Sequence, residues 1–189
     1  HGPIDALHLT LNLRVERLAP GRAADLSPLL TDLPATLEAV RDLSPEAPHH
    51  FRGASARVPI VPAITLFARS VVEEAGSGLT TRQAVEALGQ ALHKAMRFDA
   101  EATSVDTGPE QAFVQRSGVC QDFAHVMIAG LRALGIPAGY VSGFLRTFPP
   151  PGKEKLVGVD AMHAWVRAWV GPDTGWVEFD PTNDQPAGV

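Results

Sequence analysis

Cysteine is almost absent from this chain: Cys120 is the single one in 189 residues. One cysteine excludes an internal disulfide framework and a zinc site built on several thiolates. It fits a reducing compartment, and the expected location is cytoplasmic. Basic charge is not in excess either. The 16 lysines and arginines are outnumbered by 21 aspartates and glutamates, for a formal net charge of −5. Nucleic-acid binding, which usually shows a basic patch, is therefore not expected. No apolar run reaches the roughly 18 residues that a membrane span needs, so no membrane partner is expected. The seven histidines show neither H-x-x-x-H nor C-x-x-C spacing, so no metal site and no cofactor are expected. Repeats and low-complexity tracts are missing too. What remains is ordinary globular material, 45% hydrophobic and 20% charged, long enough for one well-buried core. The chain opens on His1-Gly2 rather than methionine, so a targeting segment is not excluded.

Read in order, the chain first offers a strand at His8–Glu16, where Leu9, Leu11, Leu13 and Val15 alternate with polar residues. A proline-rich connection follows, with at most a short helix from Pro34 to about Asp42, capped by Thr31 or Asp32. From Pro62 the spacing turns helical through Ile64, Phe67, Ala68 and Val71, with Gly76 as a stop. A second helix begins after Thr80 or Thr81 and carries Ala84, Val85, Leu88, Leu92 and Met96 on one face. These stripes read as core packing. Thr107 to Glu110 has the spacing of a capping box, with Thr107 as N-cap of a short helix through Val114.

That helix delivers the chain to Ser117-Gly118-Val119-Cys120. After Cys120, the residues Phe123, Val126, Met127, Gly130, Leu131 and Leu134 recur at helical spacing. A helix of about fifteen residues should therefore begin at the cysteine. Its sulfur would stand where unpaired N–H groups and the positive end of the dipole collect, which favours the nucleophilic thiolate. Taken alone, a lone cysteine reads as a small buried hydrophobe. The glycine before it, the helix after it and a distal histidine reverse that reading. Beside it, His125 reads as structural or surface, and Asp122 as structural or substrate-adjacent. Gln115 and Gln121 are side-chain candidates for an oxyanion donor, next to the Cys120 backbone N–H.

Gly135-Ile136-Pro137 ends the helix, and Ala138–Leu145 reads as a strand. A loop at 147–160, with three consecutive prolines, should be mobile and border the site. Then come a strand at Met162–Val170, a turn at Gly171–Gly175 and a returning strand at Trp176–Asp180. His163 opens the first of these strands and Asp180 closes the second, so an antiparallel hairpin brings both to one end of a sheet. An imidazole oriented by Asp180 and facing Cys120 would complete a cysteine–histidine–carboxylate triad. Register decides whether this works. Closed at Val170 and Trp176, the hairpin pairs residues whose numbers sum to an even value, and His163 and Asp180 then fall on opposite faces. The triad requires an odd sum, 345 or 347. It also requires Trp165 on the site face and Ala164, Val166 and Phe179 in the core.

The blocks Gly118-Val119-Cys120-Gln121-Asp122-Phe123-Ala124-His125, Leu131 to Ala138, Asp160-Ala161-Met162-His163-Ala164-Trp165 and Phe179-Asp180-Pro181-Thr182-Asn183 together resemble the bacterial transglutaminase-like cysteine proteinases of the transglutaminase-like superfamily. The resemblance spans roughly residues 98–183. It implies an α+β fold with a papain-like/transglutaminase-like core, in which a nucleophile-bearing helix packs on an antiparallel sheet. It implies Cys120 as nucleophile, His163 as base and Asp180 as the orienting acid, on a peptide or protein amide substrate. Gln121, Trp165 and Trp176 are candidate substrate-binding residues, the two tryptophans weighed against plain sheet packing. Gly139 stands where the family commonly has arginine. Residues 1–60 read as a partial β-rich region and connection. Residues 61–189 read as the catalytic core, trimmed at its C-terminal end. The competing reading is a silent transglutaminase-fold module that binds or scaffolds without turnover; the retained trio speaks against it.

Overall fold

The computed structural model describes residues 24–145 and 162–187. The strand expected at 8–16 and the loop expected at 147–160 lie outside the described residues. Among the described residues no helix is long and apolar enough to cross a membrane.

Among the described residues, five helices build one side of the molecule. α1 (Leu33–Ala39) follows a 3₁₀ turn at Leu30–Asp32 and buries Leu33 and Leu37. α2 (Pro62–Ala75) opens on a proline, whose missing N–H costs nothing there, and ends at Gly76 with φ of 100°. α3 (Thr81–Ala95) is capped by Thr80, whose hydroxyl accepts the Gln83 amide at 3.2 Å. The Gln83 carbonyl oxygen accepts the Thr80 amide in return, at 3.0 Å. α4 (Pro109–Gln115) departs from expectation at its start: the N-cap is Gly108, not Thr107. The Thr107 hydroxyl instead accepts the Ser104 amide at 2.9 Å, tightening the loop before the helix. Two short parallel strands, β1 (Arg97–Phe98) and β2 (Ser117–Gly118), then clamp the chain on either side of α4.

α5 (Cys120–Ala133) is the central element. Its residues from Asp122 to Leu131 are all buried. On one side it packs against α2, α3 and α4, and on the other against the sheet. Phe123, Met127 and Leu131 are nearly inaccessible, and each contributes about 1.5–3 kcal/mol by leaving water. The sheet is antiparallel, in the order β3 (Ala138–Phe144), β4 (Met162–Trp169), β5 (Trp176–Asp180), β6 (Gln185–Pro186).

The hairpin of β4 and β5 closes in odd register: Val166 pairs with Phe179 and Trp169 with Trp176, a sum of 345. The turn sets this. The Val170 amide donates to the Gly175 carbonyl at 2.9 Å, and Gly175 donates to Gly171 at 2.7 Å. Closure at Gly175 rather than Trp176 moves the register by one. Gly171 and Gly175 both take positive φ, 116° and 72°, which bulkier residues resist. Alternation then sends Ala164, Val166, Ala168 and Phe179 into the core. His163, Trp165, Arg167 and Trp169 take the other face.

Candidate active site

The approach to Cys120 is built from three contacts. Gly118 passes so close to Asp122 that a Cβ there would lie 2.5 Å from Oδ2. Asp122 is buried, at 1% exposure, and its Oδ2 accepts the Val119 amide at 2.8 Å and the Thr103 hydroxyl at 2.6 Å. Its carboxylate thus ties down the N-cap amide just before the helix, and its negative charge in the first turn meets the helix dipole favourably. Oδ1 of Asp122 is buried with no hydrogen-bond partner among the described residues. Cys120 is the first helical residue, half-buried against the core and not in a disulfide. As first and second residues of the helix, Cys120 and Gln121 have no intrahelical carbonyl for their N–H groups.

The second group is a buried pair. His163 and Asp180 are 7% and 2% exposed, and Nε2 of the imidazole meets Oδ2 of the carboxylate at 2.7 Å. Asp180 is fixed by its own turn. Its Oδ2 also accepts the Asn183 side-chain amide at 2.7 Å. Its Oδ1 accepts the backbone amides of Thr182 and Asn183 at 3.0 and 3.2 Å. With Nε2 engaged, Nδ1 is the ring atom left for a third group. Trp165 stacks beside His163, ring centroids 6.2 Å apart, and its indole N–H donates to Glu178 at 3.0 Å.

The helix points Cys120 towards the His163 end of the sheet. Arg132, near the C-terminus of α5, donates to the Ala138 carbonyl at the start of β3. One end closer to Cys120, the His125 ring lies 5.3 Å from that of Tyr140. The next pairs along β3 are Ser142 with Ala164 and Gly143 with His163. Helix and strand therefore run so that Cys120 and His163 approach the same end.

The other candidates separate. Gln121 donates to the Val105 carbonyl at 3.3 Å and lines a cleft beside the helix. Gln115 is exposed at the end of α4. Trp176 is not brought to the His163 group: pairing with Trp169, it lies roughly 20 Å along the same face. There it meets Phe51 edge-on at 5.0 Å, the Arg167 guanidinium at 4.7 Å and the Glu46 carbonyl. His125 is not a surface residue but is 8% exposed, against Tyr140. Burial lowers its pKa from 6.5, with the Arg57 charge acting the same way and Asp122 opposing. Sequence reasoning passed over Thr103, whose hydroxyl reaches Asp122 from nineteen positions away. No local pattern announces such a contact.

A family model described as the transglutaminase-like superfamily matches residues 67–181, more than half of the chain. The chain belongs to the transglutaminase-like superfamily. Its α+β architecture agrees with that membership. A protein of Mycobacterium tuberculosis, described as uncharacterised, is 44% identical over 117 residues, covering 59% of this chain and 37% of its own length. A protein-glutamine gamma-glutamyltransferase of Pseudomonas aeruginosa is 42% identical over 82 residues, 43% of this chain and 12% of that protein. Among solved structures, a candidate cysteine protease from Cytophaga hutchinsonii aligns with a TM-score of 0.58 at 26% identity. It covers 77% of this chain and 46% of its own. The periplasmic domain of TgpA from Pseudomonas aeruginosa aligns with a TM-score of 0.53, also at 26% identity, over 76% of this chain and 49% of that domain. This transglutaminase-like chain thus spans well under two thirds of the relatives it matches.

Proposed function

We propose that this chain is a thiol-dependent acyl-transfer enzyme acting on amide bonds of peptides or proteins, with Cys120 as nucleophile, His163 as base and Asp180 as the group that orients it. The observation that carries the reading is the buried His163–Asp180 pair at 2.7 Å. It fixes the ring through Nε2 and leaves Nδ1 for the thiol at the start of α5.

In this reading His163 takes the thiol proton and Cys120 Sγ attacks the amide carbonyl carbon. The backbone N–H of Cys120 faces the charge that develops on the oxygen. His163 returns the proton to the leaving amine, the C–N bond breaks, and a thioester remains on Cys120. Water then gives hydrolysis, and an amine gives transamidation. The protease and transglutaminase relatives support acyl transfer as the shared chemistry without choosing the acceptor.

Alkylation by iodoacetamide across pH tests the assignment. The native thiol should react faster than the denatured one at pH 6, and His163→Ala should slow it about tenfold or more. Equal rates in wild type and His163→Ala would remove His163 from the mechanism.

A further inference from the structure

A histidine held at one nitrogen is not yet aimed. Nε2 of His163 is fixed on Asp180 at 2.7 Å, and the other end of the side chain is fixed by β4. Rotation about χ2 is soft for an imidazole. It carries Nδ1, which lies well off the rotation axis, further than it carries Nε2. The hydrogen bond therefore holds the far end of the ring and leaves its plane to other contacts. The strand end offers little packing. Met162 and Phe144, the next pair outward from His163 and Gly143, are both exposed. His163 is nonetheless buried. Among the described residues the ring beside it is Trp165, with planes 26° apart and centroids at 6.2 Å, inside the range of offset aromatic pairs.

The indole is itself locked at both ends. Its N–H donates to Glu178 Oε2 on β5 at 3.0 Å. Its opposite edge lies over β3, where a Cβ on Gly143 would come within 2.4 Å of Cη2 and 2.9 Å of Cζ3. Gly143 does not take a positive φ, so its missing side chain serves space and not a turn. It is also the residue that pairs with His163 across β3 and β4. The indole thus lies as a bar over three strands, with the imidazole on its flank. A leucine at 165 would fill apolar space, but only a flat side chain sets the plane of its neighbour. A ring anchored at both ends is poorly suited to adapt to a substrate and well suited to hold an imidazole still.

We propose that Trp165 is a positioning residue: it sets the plane of the His163 ring so that Nδ1 faces Cys120, and Gly143 and Glu178 hold it in place to do so. Its use in the reaction rests on the acyl-transfer reading; the orientation of the ring does not. The test compares three variants of the full chain. Trp165→Leu keeps apolar bulk without a plane, Trp165→Phe keeps a flat ring without the N–H, and Gly143→Ala pushes the indole aside. Alkylation of Cys120 by iodoacetamide is measured on each, and the crystal structure of Trp165→Leu is solved. At about pH 6 the Leu variant should react about fivefold more slowly than wild type, and the Phe variant should stay within about twofold of it. At about pH 9.5, where a free thiol is itself ionised, all should match wild type, because access to the sulfur is unchanged. The crystal should show His163 still on Asp180, with Nδ1 turned from Cys120 or the ring in two orientations. A wild-type rate for Trp165→Leu at pH 6, a Phe variant as slow as the Leu variant, or an unmoved imidazole would overturn the proposal. So would equal slowing at both pH values, the mark of a general loss of structure. If Trp165→Leu does not fold, Gly143→Ala carries the same test, with slowing expected at pH 6 alone. Failure of the acyl-transfer reading shows separately, as equal alkylation in wild type and His163→Ala, and the ring orientation in the crystal then still decides for or against Trp165.

Discussion

Gly118 shows how much of this site hangs on a single missing Cβ. Its neighbour is the Asp122 carboxylate, which caps the entry to the cysteine helix. Adding a methyl group would drive that carboxylate off the Val119 amide. Gly118→Ala should cost about 1–3 kcal/mol, the usual range for overpacking, and should slow Cys120 alkylation because the first turn of α5 shifts with it. Urea unfolding and iodoacetamide kinetics on the same variant check both parts. An unchanged midpoint would mean that the carboxylate has somewhere else to go. Asp180 is held differently, by a local turn rather than by close packing. Four donors converge on its two oxygens, three of them from Thr182 and Asn183. Asp180→Ala would strand the buried His163 imidazole, while the donors of half-buried Thr182 and exposed Asn183 can turn to water, and a loss of about 1–3 kcal/mol is expected in urea unfolding.

Among the elements, α3 and β5 meet with no slack. A Cβ on Gly89 would lie 2.2 Å from the Phe179 ring. Phe179 precedes Asp180, so the helix sets the depth at which the returning strand lies. Gly89→Ala must move the ring or the helix. A loss of about 1–3 kcal/mol in unfolding experiments is expected. A change in the Asp180–His163 contact, visible as shifted His163 ring resonances, should accompany it. Stability lost with those resonances unmoved would show that the strand can absorb the strain without passing it to the site. The odd hairpin register is a second element-scale device. One extra residue of slip at the turn would put His163 and Asp180 on opposite faces, whatever their identities.

For the molecule as a whole, acid should act through His125. Its pKa in the fold lies below 6.5, chiefly because burial penalises the charged ring. The unfolded chain then binds the proton first. As pH falls through 6.5, stability is lost, and the loss continues until the folded-state pKa is passed. Urea midpoints measured from pH 7.5 to 5 should fall, and His125→Gln should flatten that part of the profile. An identical fall in the variant would assign it to other groups. The segment before α2 belongs to this scale too. Leu33, Leu37 and Val58 join the same core as α5. The 3₁₀ turn at Pro48–Phe51 covers the far end of the sheet, with Arg167 set over the rings of Phe51 and Trp176 at 4.6 and 4.7 Å.

By itself the sequence determined what depends on near neighbours. Period-three and period-four spacing places α2, α3 and α5, and the Thr80–Gln83 box and the Asp180–Asn183 turn lie within a few residues of themselves. The need for His163 and Asp180 to share a face was enough to require an odd register, because alternation along a strand leaves no other way. Tertiary structure decided what depends on distant partners. Trp176 goes to Phe51 and Glu46, which only folding brings near. His125 lies inward because β3 carries Tyr140 against it. A helical wheel gives the direction of a side chain along its own axis, but not which directions a later strand will cover.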